Sequence, residues 1–502
     1  MLRLGYTAKK NTPVELTLEE RSQGTYIIGT TGTGKSSLLK NIVYQDMNQD
    51  RTHGLCVIDP HGDLIDELLE LVPPSREKDV ILFDPMDTEH PFGLNLLACD
   101  RNDPHQIRWV VSTVMGTLRR LFEYSWGPRL EHVLRHTLLT SMLLPDSTFI
   151  ELLLLLTNEN YRGQVIPDLQ DQILKQFWAD LPRSPRDRYD LISSTLNKIS
   201  PFITDRSMRN IIGQPKNTFD LQHIMDEGKI LFVNLSKGDL GEDNSSLLGA
   251  VLVNLVLIAA MKRRSIPKDE RRPFHLIVDE FQNFANESFS VLQSEARKFA
   301  VDVVVAHQFR DQLSEQLKGS TLNVGNIVAF RVTGRDGYAL ASQFDNTPPP
   351  PDTRVEPVYQ FYQYQNQQYL IETGLHTGEG KLYQEVELPR RPYSDMEAEM
   401  ANRLSILPDY QAWCRLIQRP KDSSDFPSLI ERIIKTEDLG KKISPQQRLA
   451  GKEIARRIRE RSQTLARTRE EVEQDIERRS MGEIPPADVA TAELLGDDFD
   501  SD

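Results

Sequence analysis

Apolar residues enter the chain in short unbroken runs. TYIIG (25–29) predicts a buried strand that ends in a Gly-rich loop, and LLKNIVYQDM (38–47) repeats its apolar positions at helical spacing. LCVIDP (55–60) and VILFDP (80–85) predict two more buried strands, each closed by Asp-Pro. Strand and helix in alternation argue for a parallel sheet. From about 104 to 225 the pattern turns to long helical stretches, such as IRWVVSTVMGTLRRLF (107–122) and LEHVLRHTLLTSMLL (130–144). There Thr148 and Glu151 form a capping box ahead of LLLLLT. Strands return at KILFVNL (229–235), FHLIVDE (274–280), VDVVVAHQ (301–308) and NIVAFRV (326–332), with a helix over 245–262. The pattern is that of a nucleotide-fold sheet interrupted by an all-helical block and then resumed.

The C-terminal third is less regular. TPPPP (347–351) predicts a rigid loop, because proline cannot join a sheet interior. YLIET and KLYQEVEL predict a β-hairpin at about 369–388. Residues 445–480 are highly charged with Ile458, Leu465 and Val472 at heptad spacing, which predicts one long exposed helix. Arg461 and Thr468 fill the other seam positions and argue against a coiled coil. Disorder is expected after Pro485 and Pro486.

Composition narrows the class. The 502 residues are 39% hydrophobic and 27% charged, the balance of a globular chain of roughly three units. Three scattered cysteines exclude a disulfide scaffold and a Cys-rich zinc site, and fit a reducing, cytoplasmic setting. The net charge is −14, and half of it lies in the last 22 residues, which carry seven Asp or Glu and no Lys or Arg. A broad basic surface is excluded, so a DNA site must be local. The N-terminus lacks the apolar core of a secretory signal. The longest apolar run, Leu247–Met261, contains Asn254 and falls short of the ~20 residues of a membrane span, so a buried helix is expected.

GTTGTGKS fills the pattern G-x-x-x-x-G-K-[ST] between a buried strand and a helix. Glycines at Gly29, Gly32 and Gly34 let the backbone N–H groups of this loop, with Thr30, Thr31 and Thr33, curl round a phosphate, and the helix start at Lys35, Ser36 and Ser37 adds its dipole. Lys35 reaches the β/γ oxygens, and the Ser36 hydroxyl takes a Mg²⁺ position. Such a fold needs carboxylates on a nearby strand, and FHLIVDEFQNF supplies two. Asp279 is the expected Mg²⁺ partner and Glu280 the general base for water. Asp59 and His61 in IDPHGD either line the same site or form an ordinary turn. Gln308, at the tip of VDVVVAHQ, is placed to sense the γ-phosphate or the lytic water. Arg297 in SEARKFA is the candidate arginine finger reaching a neighbouring subunit, with Arg331 and Arg335 as competitors.

GTTGTGKS, IDPHGDL, ILFVNLSKG, IVDEFQNF and EARKF…AHQ, in this order, resemble the HerA/FtsK superfamily of hexameric motors. Within it they resemble the coupling-protein ATPases of conjugation and type IV secretion (TraG/TraD-like, TraM-recognition). The resemblance runs from about residue 20 to 345. It implies an α/β fold: a RecA-like P-loop NTPase motor domain with an all-α insertion. Residues 1–103 and 226–395 would form the two parts of the motor and 104–225 the insertion. Residues 396–480 would form a C-terminal helical region, and 481–502 a disordered acidic tail. It also implies ATP between subunits of a homo-hexamer and DNA in a central channel. Lys35, Ser36, Asp279, Glu280 and Gln308 carry over by motif position, and Arg297 more loosely. Typical coupling proteins open with transmembrane helices and typical HerA proteins with a β-barrel; neither is expected here, with about 24 residues ahead of the first predicted strand.

Three functions follow. The first is an ATP-driven DNA translocase, with Lys237 and Lys318 as channel lysines. The second is a motor of the same chemistry acting on secreted protein or pilus subunits. The third is a nucleotide-switched recruitment scaffold, with the acidic end TAELLGDDFDSD docking a basic protein partner.

Overall fold

A computed structural model describes residues 1–49, 52–285, 287–344, 392–418, 428–439 and 442–482, with the backbone of four strands between 353 and 387. The tail beyond 482 and the TPPPP segment lie outside the described residues.

The strands in chain order are β1 (Leu2–Thr7), β2 (Pro13–Leu16), β3 (Thr25–Ile28), β4 (Gly54–Asp59), β5 (Val80–Phe83), β6 (Ile230–Asn234), β7 (Phe274–Val278), β8 (Val301–His307) and β9 (Asn326–Ala329). They continue with β10 (Thr353–Pro357), β11 (Tyr359–Tyr364), β12 (Gln367–Glu372), β13 (Tyr383–Glu387), β14 (Gln411–Gln418) and β15 (Ser428–Lys435). One sheet of 11 strands dominates, in the order β2-β1-β15-β14-β9-β3-β8-β7-β4-β6-β5. From β9 to β5 every neighbour is parallel. From β9 outward through β14, β15, β1 and β2 every neighbour is antiparallel.

The parallel strands are buried on both faces, as their unbroken apolar runs require. Alternate residues of β3 serve opposite cores. Tyr26 and Ile28 join the core shared with the helical block and the helix Glu242–Lys262. Ile27 joins the core shared with the helices Lys35–Met47, Asp63–Leu69 and Pro445–Gln463. The helix that continues from Glu242 to Ser265 is long and apolar enough to cross a membrane, yet 89% of its apolar window is buried in the protein. Its place between sheet and block explains the apolarity.

Between β5 and β6 the chain is helical throughout, from Pro104–Leu121 to Leu221–Asp226. The Thr148–Glu151 capping box forms as expected.

Three expectations are corrected. Residues 396–480 are not all helical: β14 and β15 add to the main sheet, because alternate residues Ala412, Cys414 and Leu416 are buried against it. The segments at 367–372 and 383–387 do not pair with each other; β12 pairs with β11 and β13 with β10. The single long helix over 445–480 is two helices, Pro445–Gln463 and Arg469–Ser480, the second restarted by a Thr468–Glu471 capping box. The first of these covers the edge strand β5. Leu82 N donates to Ser462 Oγ over 3.0 Å, and Arg461 donates to the carbonyl of Val80 over 2.6 Å. An edge that would otherwise offer free backbone groups is thus closed.

Candidate nucleotide site

Parallel register brings the predicted residues to one edge. Ile28 lies opposite His307, Val278 opposite Val305 and Ile58, and Asp59 opposite Asn234. The residues that follow, Gly29, Gln308 and Asp279, therefore leave the sheet side by side with Asp59. This is the carboxyl edge of the strands, where open α/β sheets bind ligands.

The loop Gly29–Gly34 is built on glycine. Gly32 and Gly34 have φ of +78° and +117°. A Cβ on Gly29 would stand 2.6 Å from Phe330 Cβ. The helix Lys35–Met47 begins at Lys35 with no side-chain cap on its first N–H groups. Lys35 is buried, and its Nζ donates to the carbonyl of Gly29 over 2.7 Å. Burial pushes its pKa down, against the pull of Glu280 and Asp279. Thr33 is buried and bonds back to the carbonyl of Thr30, while Thr31 and Ser36 are exposed and Ser37 half-buried. The loop thus offers buried cationic and exposed hydroxyl donors together, a set that fits a phosphate chain.

Asp279 and Glu280 are both buried at the end of β7. Burial, then Glu280, then Asp59 push the Asp279 carboxyl up to about 7. A cation beside it would relieve that crowding, so the donor set fits Mg²⁺ at Asp279 and Ser36. Glu280 is in the left-handed region, with φ of +42°. Its Oε1 accepts from Gln308 Nε2 over 2.7 Å and its Oε2 from Gln282 Nε2 over 2.8 Å. Gln308 Oε1 in turn accepts from Thr31 Oγ1 over 3.0 Å. Loop, amide and carboxylate form one chain.

The tip of β8 is fixed from beneath. Arg310 donates to the Tyr26 hydroxyl over 3.1 Å, which leaves the hydroxyl hydrogen for His307 Nε2 at 2.5 Å. Burial, Arg310 and Lys35 push the His307 pKa down to about 3, so the ring beneath Gln308 is neutral.

The other predicted residues lie differently. The Asp59 carboxylate accepts from the N–H groups of His61, Leu64 and Ile65, so it organises the start of the helix Asp63–Leu69. His61 is exposed. Arg297 is exposed and donates to Gln23 over 2.8 Å ahead of β3, at the opposite edge of the sheet, so it does not enter its own site. Arg331 pairs with Asp409, and Arg335 with Asp311. Lys237 donates to Asn283 Oδ1 over 2.7 Å, and Lys318 pairs with Glu315.

Two contacts were not anticipated. Tyr410, with φ of +62°, donates its N–H to the carbonyl of Thr33 over 2.8 Å and packs against Gly34. No local signal ties it to a loop so far away in sequence. Arg120, at the end of the helix Pro104–Leu121, donates to the carbonyls of Gln282 and Ala285 and to that of Asn283. At the far edge, Asp46, His53 and His275 bring ligand atoms within 4.8 Å of one another. Arg21 already grips both oxygens of that Asp46, at 2.6 and 2.7 Å, which is a poor setting for a cation.

The family model described as "Helicase HerA, central domain" matches residues 2–255. The plasmid coupling protein TrwB in complex with the ATP analogue ADPNP is 15% identical with a TM-score of 0.53. The match covers 86% of this chain and 89% of that one. TrwB in complex with ADP and Mg²⁺ is 15% identical with a TM-score of 0.52, at the same coverage. Unbound TrwBdeltaN70, a bacterial conjugative coupling protein, is 16% identical with a TM-score of 0.51, again at that coverage. These likenesses are likenesses of fold. No curated protein matches the chain.

Proposed function

The chain belongs to the helicase HerA central-domain family and has a RecA-like P-loop NTPase fold, and on that premise we propose that it is an ATP-hydrolysing DNA translocase. The observation that carries the proposal is the chain Thr31–Gln308–Glu280, which joins the phosphate loop to the acidic strand end. A relay of this kind has a use in a site that must sense a phosphate and turn over water, and less in one that only binds.

In this reading the backbone of Gly29 to Gly34, with Lys35, Ser36 and Ser37, holds the phosphates of ATP. Ser36 and Asp279 hold Mg²⁺, which supplies positive charge for the phosphoryl group being transferred. Glu280 takes the proton of the attacking water as its oxygen bonds to the γ-phosphorus. The bond to the bridging oxygen breaks, releasing ADP and phosphate. Gln308 reports the state of the loop to Glu280. Arg297, at the opposite edge, serves a neighbouring subunit's site.

The proposed assembly is a cytoplasmic homo-hexamer with DNA in its channel. The motor comprises 1–103 and 226–395, extended by β14 and β15, with 104–225 as an insertion. The family description and the fold of the conjugative coupling protein support DNA as the polymer. Lys237 and Lys318 are set aside as channel residues, since each is already engaged. The acidic tail remains a proposed docking peptide for a basic partner.

Steady-state hydrolysis without polymer, with single-stranded DNA and with double-stranded DNA, beside Glu280→Gln, tests the proposal. Stimulation by DNA that is lost in Glu280→Gln is expected. A Glu280-dependent rate indifferent to both DNA forms would replace the translocase with a protein-handling motor.

A further inference from the structure

Glu280 stands on a turn that the helical block grips. Arg120 Nη1 donates to the carbonyl of Gln282 over 2.8 Å and to that of Ala285 over 3.1 Å, and its Nη2 donates to the carbonyl of Asn283. Inside the turn, Asn283 Nδ2 donates to the Glu280 carbonyl over 2.8 Å, and Gln282 Nε2 donates to Glu280 Oε2 at the same distance. Lys237 steadies Asn283 from the start of the short helix Lys237–Leu240 that follows β6. Every residue of the turn that touches Glu280 is therefore held in place by a cation from another element.

Two physical points give Arg120 its weight. Glu280 is a non-glycine residue in the left-handed region, a conformation that persists only where the surroundings over-determine it. A planar guanidinium can meet three carbonyls at once from two nitrogens held in a fixed fork, a spread that the single nitrogen of an ammonium or an amide cannot fully reproduce. Arg120 is also exposed, at the end of the helix that leads into the block, so its grip depends on where the block sits.

We propose that Arg120 is a positioning residue for hydrolysis. It fixes the turn 281–285 and thereby the pose of the Glu280 carboxylate, so that displacement of the helical block changes turnover while nucleotide affinity stays the same. The inference rests on the reading of Glu280 as the base.

The test measures kcat, KM and the Kd of a fluorescent ATP analogue for the parent, Arg120→Ala, Arg120→Lys, Glu280→Gln and the double variant Arg120→Ala/Glu280→Gln. Arg120→Ala is expected to lower kcat by roughly 10- to 100-fold, the scale of a catalytic group misplaced by about 1 Å, with KM and Kd within about twofold of the parent. Arg120→Lys should recover part of the rate. In the Glu280→Gln background, Arg120→Ala should cause no further loss in single-turnover hydrolysis, because residues acting as one unit are non-additive. A parental kcat in Arg120→Ala overturns the proposal, and so does a full multiplicative loss in the double variant. If Arg120→Ala does not fold, Arg120→Gln, which keeps the stem and loses the fork, is read by the same criteria. Full turnover in Glu280→Gln would instead remove the base reading itself.

Discussion

Gln308 and Glu280 meet side chain to side chain across two neighbouring strands, with Nε2 of the amide 2.7 Å from Oε1 of the carboxylate. Each ends an apolar run, and the register of β7 against β8 sets them abreast. A primary amide suits this place because it donates with one end and accepts with the other. The accepting end takes the hydroxyl of Thr31, so a change at the loop reaches Glu280 through a single side chain.

Gln308→Ala is expected to cut kcat on the order of 10²-fold while leaving the Kd for ATP little changed, because it frees the carboxylate and, in the phosphate loop, releases only the Thr31 hydroxyl. Gln308→Glu should be worse, since a second carboxylate at hydrogen-bond distance would force one of the two to hold a proton. Steady-state rates beside nucleotide titrations check both. A Kd that rises as steeply as kcat falls would place Gln308 in binding instead of turnover.

Asp279 should make Mg²⁺ binding and stability depend on pH near neutrality. Its carboxyl is raised from 3.8 to about 7 in the folded chain. The folded state then holds the extra proton between about pH 4 and 7, so this group favours folding at the acid end and that contribution is lost as pH rises through 7. A bound cation prefers the carboxylate, so Mg²⁺ should bind more weakly at pH 6 than at pH 8 and release protons on binding. Melting curves and calorimetry in buffers of different ionisation heat should show both effects. Asp279→Asn should flatten them.

Gly34→Ala should disable the loop through two independent faults. Its φ of +117° is closed to an L side chain, and the added Cβ would stand 3.2 Å from Tyr410 Cα and 3.1 Å from the Phe330 ring. The expected outcome is a loss of stability of about 1–3 kcal/mol with nucleotide binding abolished. Chemical denaturation and ATP-analogue titration measure the two separately. Tyr410→Gly should leave the fold standing, since glycine tolerates its positive φ.

The edge that gathers the candidate residues was legible because each segment bearing them follows a short apolar strand, and parallel strands share one carboxyl end. Gly29 to Ser37, Asp279, Glu280 and Gln308 needed no more than that. What escaped was made by pairing between distant segments. Tyr410 reaches the loop only because β14 returns beside β9, and the charged run LIERIIK became a strand through its partners β14 and β1. The edge on which Arg297 lies follows from the direction of β8, which spacing alone does not state. The break in the C-terminal helix was readable after all: Thr468, three residues before Glu471, is a capping signal that the heptad spacing of Ile458, Leu465 and Val472 masked.

The helix that this signal starts is fastened to the helical block by one buried pair. Arg479 and Glu151 leave only 5% and 7% of their side chains exposed, with Nη2 to Oε2 at 2.5 Å. Arg479 also donates to the carbonyl of Gly213 over 2.7 Å and to Thr148 Oγ1 over 3.0 Å. Glu151 meanwhile caps its own helix by accepting from Thr148 N over 2.7 Å. Removing either partner leaves a buried charge without its counter-ion, which costs about 3–5 kcal/mol. Arg479→Ala and Glu151→Ala should each lower stability by that order, and Glu151→Ala should also lose its helix cap. Replacing both with apolar residues should cost less than the sum of the single losses, because no charge is then stranded. Denaturant unfolding of the four proteins completes the cycle. Additive losses would mean that the two residues stabilise the block separately, and that the C-terminal helix is held by Val472, Ile476 and the contacts of Glu473 with Arg206 and Asn210.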